Sequence, residues 1–102
     1  MGLIIRLEDE NGFEMGFLPD TGLLHPLIPN LDDDHFELLG YVDPYGDTTF
    51  NWNQAGILAR DLERAKARAT TEEAVQLLDQ IIALASRTSD ESRFYLKFSG
   101  DS

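Results

Sequence analysis

Apolar residues recur along this chain at two periods, and the switch between them predicts its elements. Leu3, Ile5 and Leu7 alternate with Ile4 and Arg6, a spacing of two that predicts a first strand with one apolar face. Glu10-Asn11-Gly12 reads as a turn, and Phe13 to Leu18 as the returning strand. From Pro19 to Asp34 the periodicity fades and three prolines, Pro19, Pro26 and Pro29, interrupt the chain. A long irregular segment is expected there, of a length more common in functional or mobile loops than in short connections. Phe36 to Val42 reads as a third strand. In Asp43-Pro44-Tyr45-Gly46 the proline presets φ at the second turn position and the glycine tolerates positive φ. With Thr48-Thr49-Phe50 beyond the turn, residues 36–52 are expected to form a hairpin.

The period then lengthens to three and four. Ala55, Leu58, Leu62, Ala65 and Ala69 lie along one stripe of a helix that Asn51 or Asn53 can cap, with Gly56 weakening its first turn. Thr70-Thr71-Glu72-Glu73 fits a capping box with Thr70 as the N-cap and Glu73 reaching back. Ala74, Leu77, Leu78, Ile81, Ile82 and Ala85 make a wide stripe on a second helix, with Gln76, Gln80, Ala83 and Arg87 opposite. Trp52, just before a helix, is expected in the core. Strict alternation returns at Arg93–Phe98, with Phe94, Leu96 and Phe98 inward and Arg93, Tyr95 and Lys97 outward; the tail Ser99–Ser102 is expected to fray. Arg93 and Lys97 are expected to form ion pairs with an acidic neighbouring strand. The predicted fold class is α+β: a mainly antiparallel sheet with two helices packed on one face, in the order β-β-loop-β-β-α-α-β. Residues 1–102 form one domain, a length that supports a single core.

Charge alters this picture more than composition does. The net charge is −11, and it is not spread evenly. Residues 1–56 hold eleven acids against the single base Arg6, whereas residues 57–102 hold eight acids against seven bases. A one-sided field of this kind bears on partners: it steers basic molecules inward and repels polyanions. Direct nucleic-acid binding, which needs clustered Lys and Arg, is disfavoured, and so is an anionic membrane surface. No stretch approaches the length of a membrane span, and Met1–Arg6 is too short and too soon acidic for a secretory leader. Position 6 holds Arg6 where a myristoylation motif would place Ser or Thr. The chain has no cysteine, so disulfides, thiolate nucleophiles and Cys-ligated metals are excluded. A cytoplasmic location is compatible with that composition and is the expectation.

Candidate chemistry concentrates at two places. Asp32-Asp33-Asp34 precedes His35 and Glu37, a set of oxygen and nitrogen donors. It lacks the calcium-loop pattern, and adjacent carboxylates on extended chain diverge, so a solvated acidic loop is preferred to a metal site. The second place is Asp43-Pro44-Tyr45-Gly46-Asp47, where Tyr45 lies between two acids. Its plain reading is a turn. Its functional reading is an aromatic anchor flanked by carboxylates that engage Arg or Lys across an interface. His25 and His35 are the two side chains able to act as a general base near neutral pH without perturbation, and neither sits in a nucleophile motif. No catalytic residue, metal ligand or cofactor is therefore assigned.

The run Asp43-Pro44-Tyr45-Gly46-Asp47-Thr48-Thr49-Phe50-Asn51, the amphipathic helix after it and the ending Phe98-Ser99-Gly100-Asp101 resemble small acidic bacterial proteins of unassigned function, over residues 36–101. Some similar proteins are immunity proteins encoded beside secreted or contact-delivered toxins. The resemblance transfers no catalytic residue. What it implies is an inhibitor that plugs a basic toxin cleft, and the residues assigned to that contact are Asp32, Asp33, Asp34, Glu37, Asp43, Tyr45 and Asp47. Two other readings stand beside it: a non-inhibitory binding module, self-associating or docked on a basic protein, and a small metal-dependent enzyme built on His25, His35 and the Asp triplet.

Overall fold

A computed structural model describes residues 2–100. Its strands are β1 (Leu3–Asp9), β2 (Glu14–Pro19), β3 (Asp47–Asn51) and β4 (Phe94–Gly100), and its helices are α1 (Trp52–Ala65) and α2 (Glu72–Ser89). The sheet order is β2-β1-β4-β3, and every neighbouring pair is antiparallel. The α+β class, the antiparallel sheet and the two-helix layer are as the periodicity predicts. β4 lies between β1 and β3, so the last strand joins the hairpin at the N-terminus to the strand that feeds the helices.

Alternation decides the two faces. Leu3, Ile5 and Leu7 of β1, Phe50 of β3 and Phe94, Leu96 and Phe98 of β4 are buried on the face that the helices cover. Leu58 and Leu62 of α1 and Leu78 and Ile81 of α2 meet them there, and each of these four is fully buried. The opposite face carries Ile4, Arg6 and Glu8 of β1 beside Ser99, Lys97 and Tyr95 of β4. On that face Arg6 and Lys97 are directly opposite each other, a like-charge pair that would be unfavourable alone. Glu14 lies 3.2 Å from Arg6 and Asp47 3.7 Å from Lys97, which offsets it. The expected cross-strand pair is thus present at Lys97, whereas Arg93 turns to Glu91 in the preceding turn, 2.6 Å away.

Four local expectations are corrected. Phe36–Val42 is not a strand: Leu39–Tyr41 is a 3₁₀ turn, and β3 pairs with β4 rather than with a hairpin partner. Its buried residues Leu39 and Val42 are three apart, the period of a 3₁₀ turn, while Tyr41 between them is exposed. The N-cap of α2 is Thr71, whose hydroxyl accepts from the Ala74 N–H at 3.1 Å. That frame puts both Glu72 and Glu73 in the first turn, where the helix dipole favours them. Trp52 opens α1 at the end of an edge strand and is 44% exposed. Ser99 and Gly100 belong to β4; Asp101 and Ser102, the rest of the predicted frayed tail, lie outside the described residues. The cap of α1 is Asn51, in a reciprocal box with Gln54 at 2.9 Å in both directions.

The irregular segment joins the core at chosen points. Leu24, Leu39 and Val42 are buried among the helix and sheet side chains. Asp20, also buried, accepts from the N–H groups of Gly22, Leu23 and Leu24 at 2.9–3.2 Å, so one carboxylate satisfies three loop donors.

Candidate acidic and aromatic interface at the β3 edge

The site begins with an acid that the sequence pattern places on the apolar side of α1. Asp61 falls between Leu58 and Leu62 and is fully buried. Its carboxylate accepts from three consecutive backbone N–H groups, those of Glu37 (3.0 Å), Leu38 (2.6 Å) and Leu39 (2.9 Å). A segment without strand partners must satisfy its amides some other way, and a buried carboxylate does this with charge-assisted bonds. Arg64, one turn on, lies 3.4 Å from the same carboxylate and donates to the His35 carbonyl at 3.3 Å. Another turn on, Arg68 donates to Asp33 at 2.8 Å and stacks over the Phe36 ring, 4.6 Å from its centroid. Side chains from α1 and from the 3₁₀ turn Lys66–Arg68 that follows it therefore hold residues 33–39 in place.

That arrangement divides the Asp triplet. Asp33 turns inward: it accepts from the His35 N–H at 3.0 Å, lies 2.9 Å from His35 Nδ1 and binds Arg68. The His35 N–H bond, followed by those from Arg68 and the His35 ring, lowers its carboxyl pKa from the ordinary 3.8 to about 2. Asp32, Asp34 and Glu37 remain exposed. Asp33 is thus engaged within the chain, by His35 and Arg68. Among the described residues, no group of three or more His, Asp and Glu side chains is gathered to hold a metal ion.

The 43–47 turn is placed by a different device. Asp43 accepts from the Tyr45 N–H at 2.9 Å, and its own N–H donates to Thr48 Oγ1 at 2.9 Å. Gly100 donates to the Gly46 carbonyl at 2.7 Å, and a Cβ at Gly100 would lie 2.5 Å from the Pro44 carbonyl oxygen. The turn can therefore pack on the end of β4 only if that residue is glycine. Tyr45 projects from it 68% exposed, with its ring edge-on to His25 at 5.6 Å. His25 thus packs on Tyr45, whereas His35 pairs with Asp33.

An open groove of about 400 Å³ runs between the 36–42 segment and β3, lined by Glu37, Leu38, Tyr41, Thr48, Thr49, Phe50 and Gln54. Glu37, Leu38 and Tyr41 form one wall, and Thr48, Thr49 and Phe50 of β3 form the other. Tyr41 (62% exposed) and Leu31 (68%) add apolar surface that the sequence reading missed. The signal was available in the 3₁₀ spacing, which leaves Tyr41 outside when Leu39 and Val42 are buried.

The remaining N-terminal acids are elsewhere. Asp9 is opposite Phe94 at the start of β4, and Asp47 is opposite Ser99 near its end. Glu8, Asp9 and Glu10 therefore sit at the other end of the sheet from the 43–47 turn, and the acidic half of the sequence is split between two regions. No family model, curated protein or solved structure matches this chain. Among the described residues, no helix is long and apolar enough to cross a membrane.

Proposed function

We propose that this chain is an immunity-type inhibitor, a cytoplasmic protein whose β3 edge occupies the basic cleft of a toxin domain. The observation that carries the reading is a pair of exposed tyrosines among carboxylates: Tyr41 lines a groove with Glu37, and Tyr45 stands on the turn between Asp43 and Asp47 that leads into β3. Clefts that act on nucleic acids or nucleotides are positive, so an acidic surface with aromatic anchors complements them in charge and supplies the apolar contact that slows release. Asp32, Asp34, Glu37, Asp43 and Asp47 pair with the basic groups, Tyr45 and Tyr41 anchor, and Asp33 holds the loop. The chain contributes no catalytic group and no cofactor in this reading.

Affinity capture of the tagged chain from its native host, read by mass spectrometry, tests it. The expected result is one stoichiometric basic partner that is toxic when produced without this chain. Capture of a basic partner whose activity the chain leaves unchanged would favour the non-inhibitory binding module, and recovery of the chain alone would overturn the inhibitor reading.

A further inference from the structure

The order β2-β1-β4-β3 leaves β2 and β3 as the edges of the sheet, and their outer backbone groups differ. β2 carries a register shift opposite Leu7/Glu8 and ends at Pro19, which has no N–H, so its outer ladder is interrupted. β3 pairs with β4 from Asp47 to Asn51 without a shift and contains no proline. The phase of that ladder follows from the Gly100 N–H bond to the Gly46 carbonyl. Bonded and non-bonded pairs alternate between antiparallel strands. Thr48/Phe98 and Phe50/Leu96 are therefore the bonded pairs, and the backbone groups of Asp47, Thr49 and Asn51 point away from β4. Asn51 spends its N–H on the Gln54 side chain in the α1 cap. Asp47 and Thr49 each keep an outward N–H and carbonyl that no other backbone group of the described residues takes up. Thr49 also lines the open groove whose far wall holds Leu38 and Tyr41.

We propose that β3 takes an extended, lysine- or arginine-bearing segment of the partner protein as an added antiparallel strand laid along this groove. Strand addition rests on the inhibitor reading for the partner's identity. Register fixes what the segment must look like. Residues directly opposite in an antiparallel pair share a face. Partner residues bonded to Asp47 and Thr49 therefore place their side chains on the open face of the sheet, beside the Asp47 carboxylate. The residues between them face the same side as buried Phe50, toward Leu38 and Tyr41. Basic and apolar residues alternate in such a segment. Main-chain bonds give the affinity and the alternate side chains the selection. Charge favours this occupant over a second copy of the chain. Glu37 lies in the groove, and Asp43 and Asp47 flank the turn that leads into β3. The neighbouring bases are already engaged: Lys97 lies 3.7 Å from Asp47, and Arg64 binds Asp61 and the His35 carbonyl. Two β3 edges brought together would set these acids against each other, whereas a basic segment is drawn to them.

The test titrates the full chain with a short capped peptide of alternating lysine and valine and reads amide hydrogen exchange by NMR. The expected result is that exchange at Asp47 and Thr49 slows about tenfold or more, while the Phe50 amide, already bonded to β4, changes little. N-methylation of the lysines, whose N–H groups face β3, abolishes the protection. N-methylation of the valines, whose N–H groups face away, preserves it. Asp47→Lys weakens binding about tenfold, and Thr49→Pro, which removes an outward N–H but no bond to β4, does the same. Because a proline can disturb the strand itself, the two methylated peptides decide the matter. No protection at about 1 mM lysine–valine peptide would overturn the proposal. So would equal protection by a glutamate–valine peptide, or equal effects of the two methylations. Protection of Thr49 that rises with the chain's own concentration, without peptide, would assign the edge to a second copy and overturn it too. Partner capture from the host is read separately, so strand addition can fail while the inhibitor reading stands, and the reverse.

Discussion

The two edges of this sheet are finished in opposite ways. Beside β3, a segment without strand structure is fixed by Asp61 and Arg64 of α1 and by Arg68 of the 3₁₀ turn after it, and it presents Glu37 and Tyr41 at a groove. Beside β2, a bulged strand leaves Phe13, Met15 and Phe17 exposed, and Phe17 and Leu18 form an open groove with Gln80, Ala83 and Leu84 of α2. The comparison teaches that a net charge read from sequence says little about where charge acts. Asp20, Asp33 and Asp61 spend their carboxylates on the chain's own amides, and the acids that remain at the surface are gathered at some places and missing from others.

The comparison is broken most severely at Asp61. Asp61→Ala leaves the amides of residues 37–39 without their acceptor in a buried place, and should lower stability in urea unfolding by about 3 kcal/mol. It should also weaken partner binding at the β3 edge. Removing the anchors has the next largest effect. Tyr45→Ala and Tyr41→Ala should each reduce partner affinity by about 2 kcal/mol in calorimetry with little change in melting temperature, because both rings are exposed in the unbound chain.

Charge reversal sharpens the contrast with a smaller effect. Asp32→Lys with Asp34→Lys should slow partner association about tenfold at low salt, and the difference should shrink in high salt, as stopped-flow rates would show. Asp33 is left intact because its reversal would also disturb the loop. The smallest effect is set by pH. The Asp33 carboxyl is lowered from 3.8 to about 2, so the stability it contributes is present above about 4 and is lost as pH falls through about 2. Asp33→Asn should therefore melt below the wild type at neutral pH, and the two curves should converge toward pH 2.

Much of the fold was legible because local patterns and tertiary demands agree where side chains alternate into one core. Leu3-Ile5-Leu7 and Phe94-Leu96-Phe98 could occupy few other arrangements, and the α1 and α2 stripes match the faces that are buried. The candidate site was legible in part. The turn at Asp43–Gly46 carries its own chemistry, and Tyr45 is exposed as expected of an anchor. Residues 36–42 misled because Phe36, Leu38 and Tyr41-Val42 look strand-like, while what shapes them is a carboxylate on α1, twenty-two residues or more away in sequence. Asp61 itself gave a signal, an acid on an apolar stripe, though not the identity of its partners.

By itself, the sequence determined the elements whose period matches their burial, the sign of the charge and the absence of thiol chemistry. The tertiary structure decided which acids face water, which basic groups oppose them, and how the two sheet edges differ. The physical reason is range: helix and strand periods are set by neighbours a few residues apart, whereas the fate of a carboxylate depends on donors brought to it from distant parts of the chain.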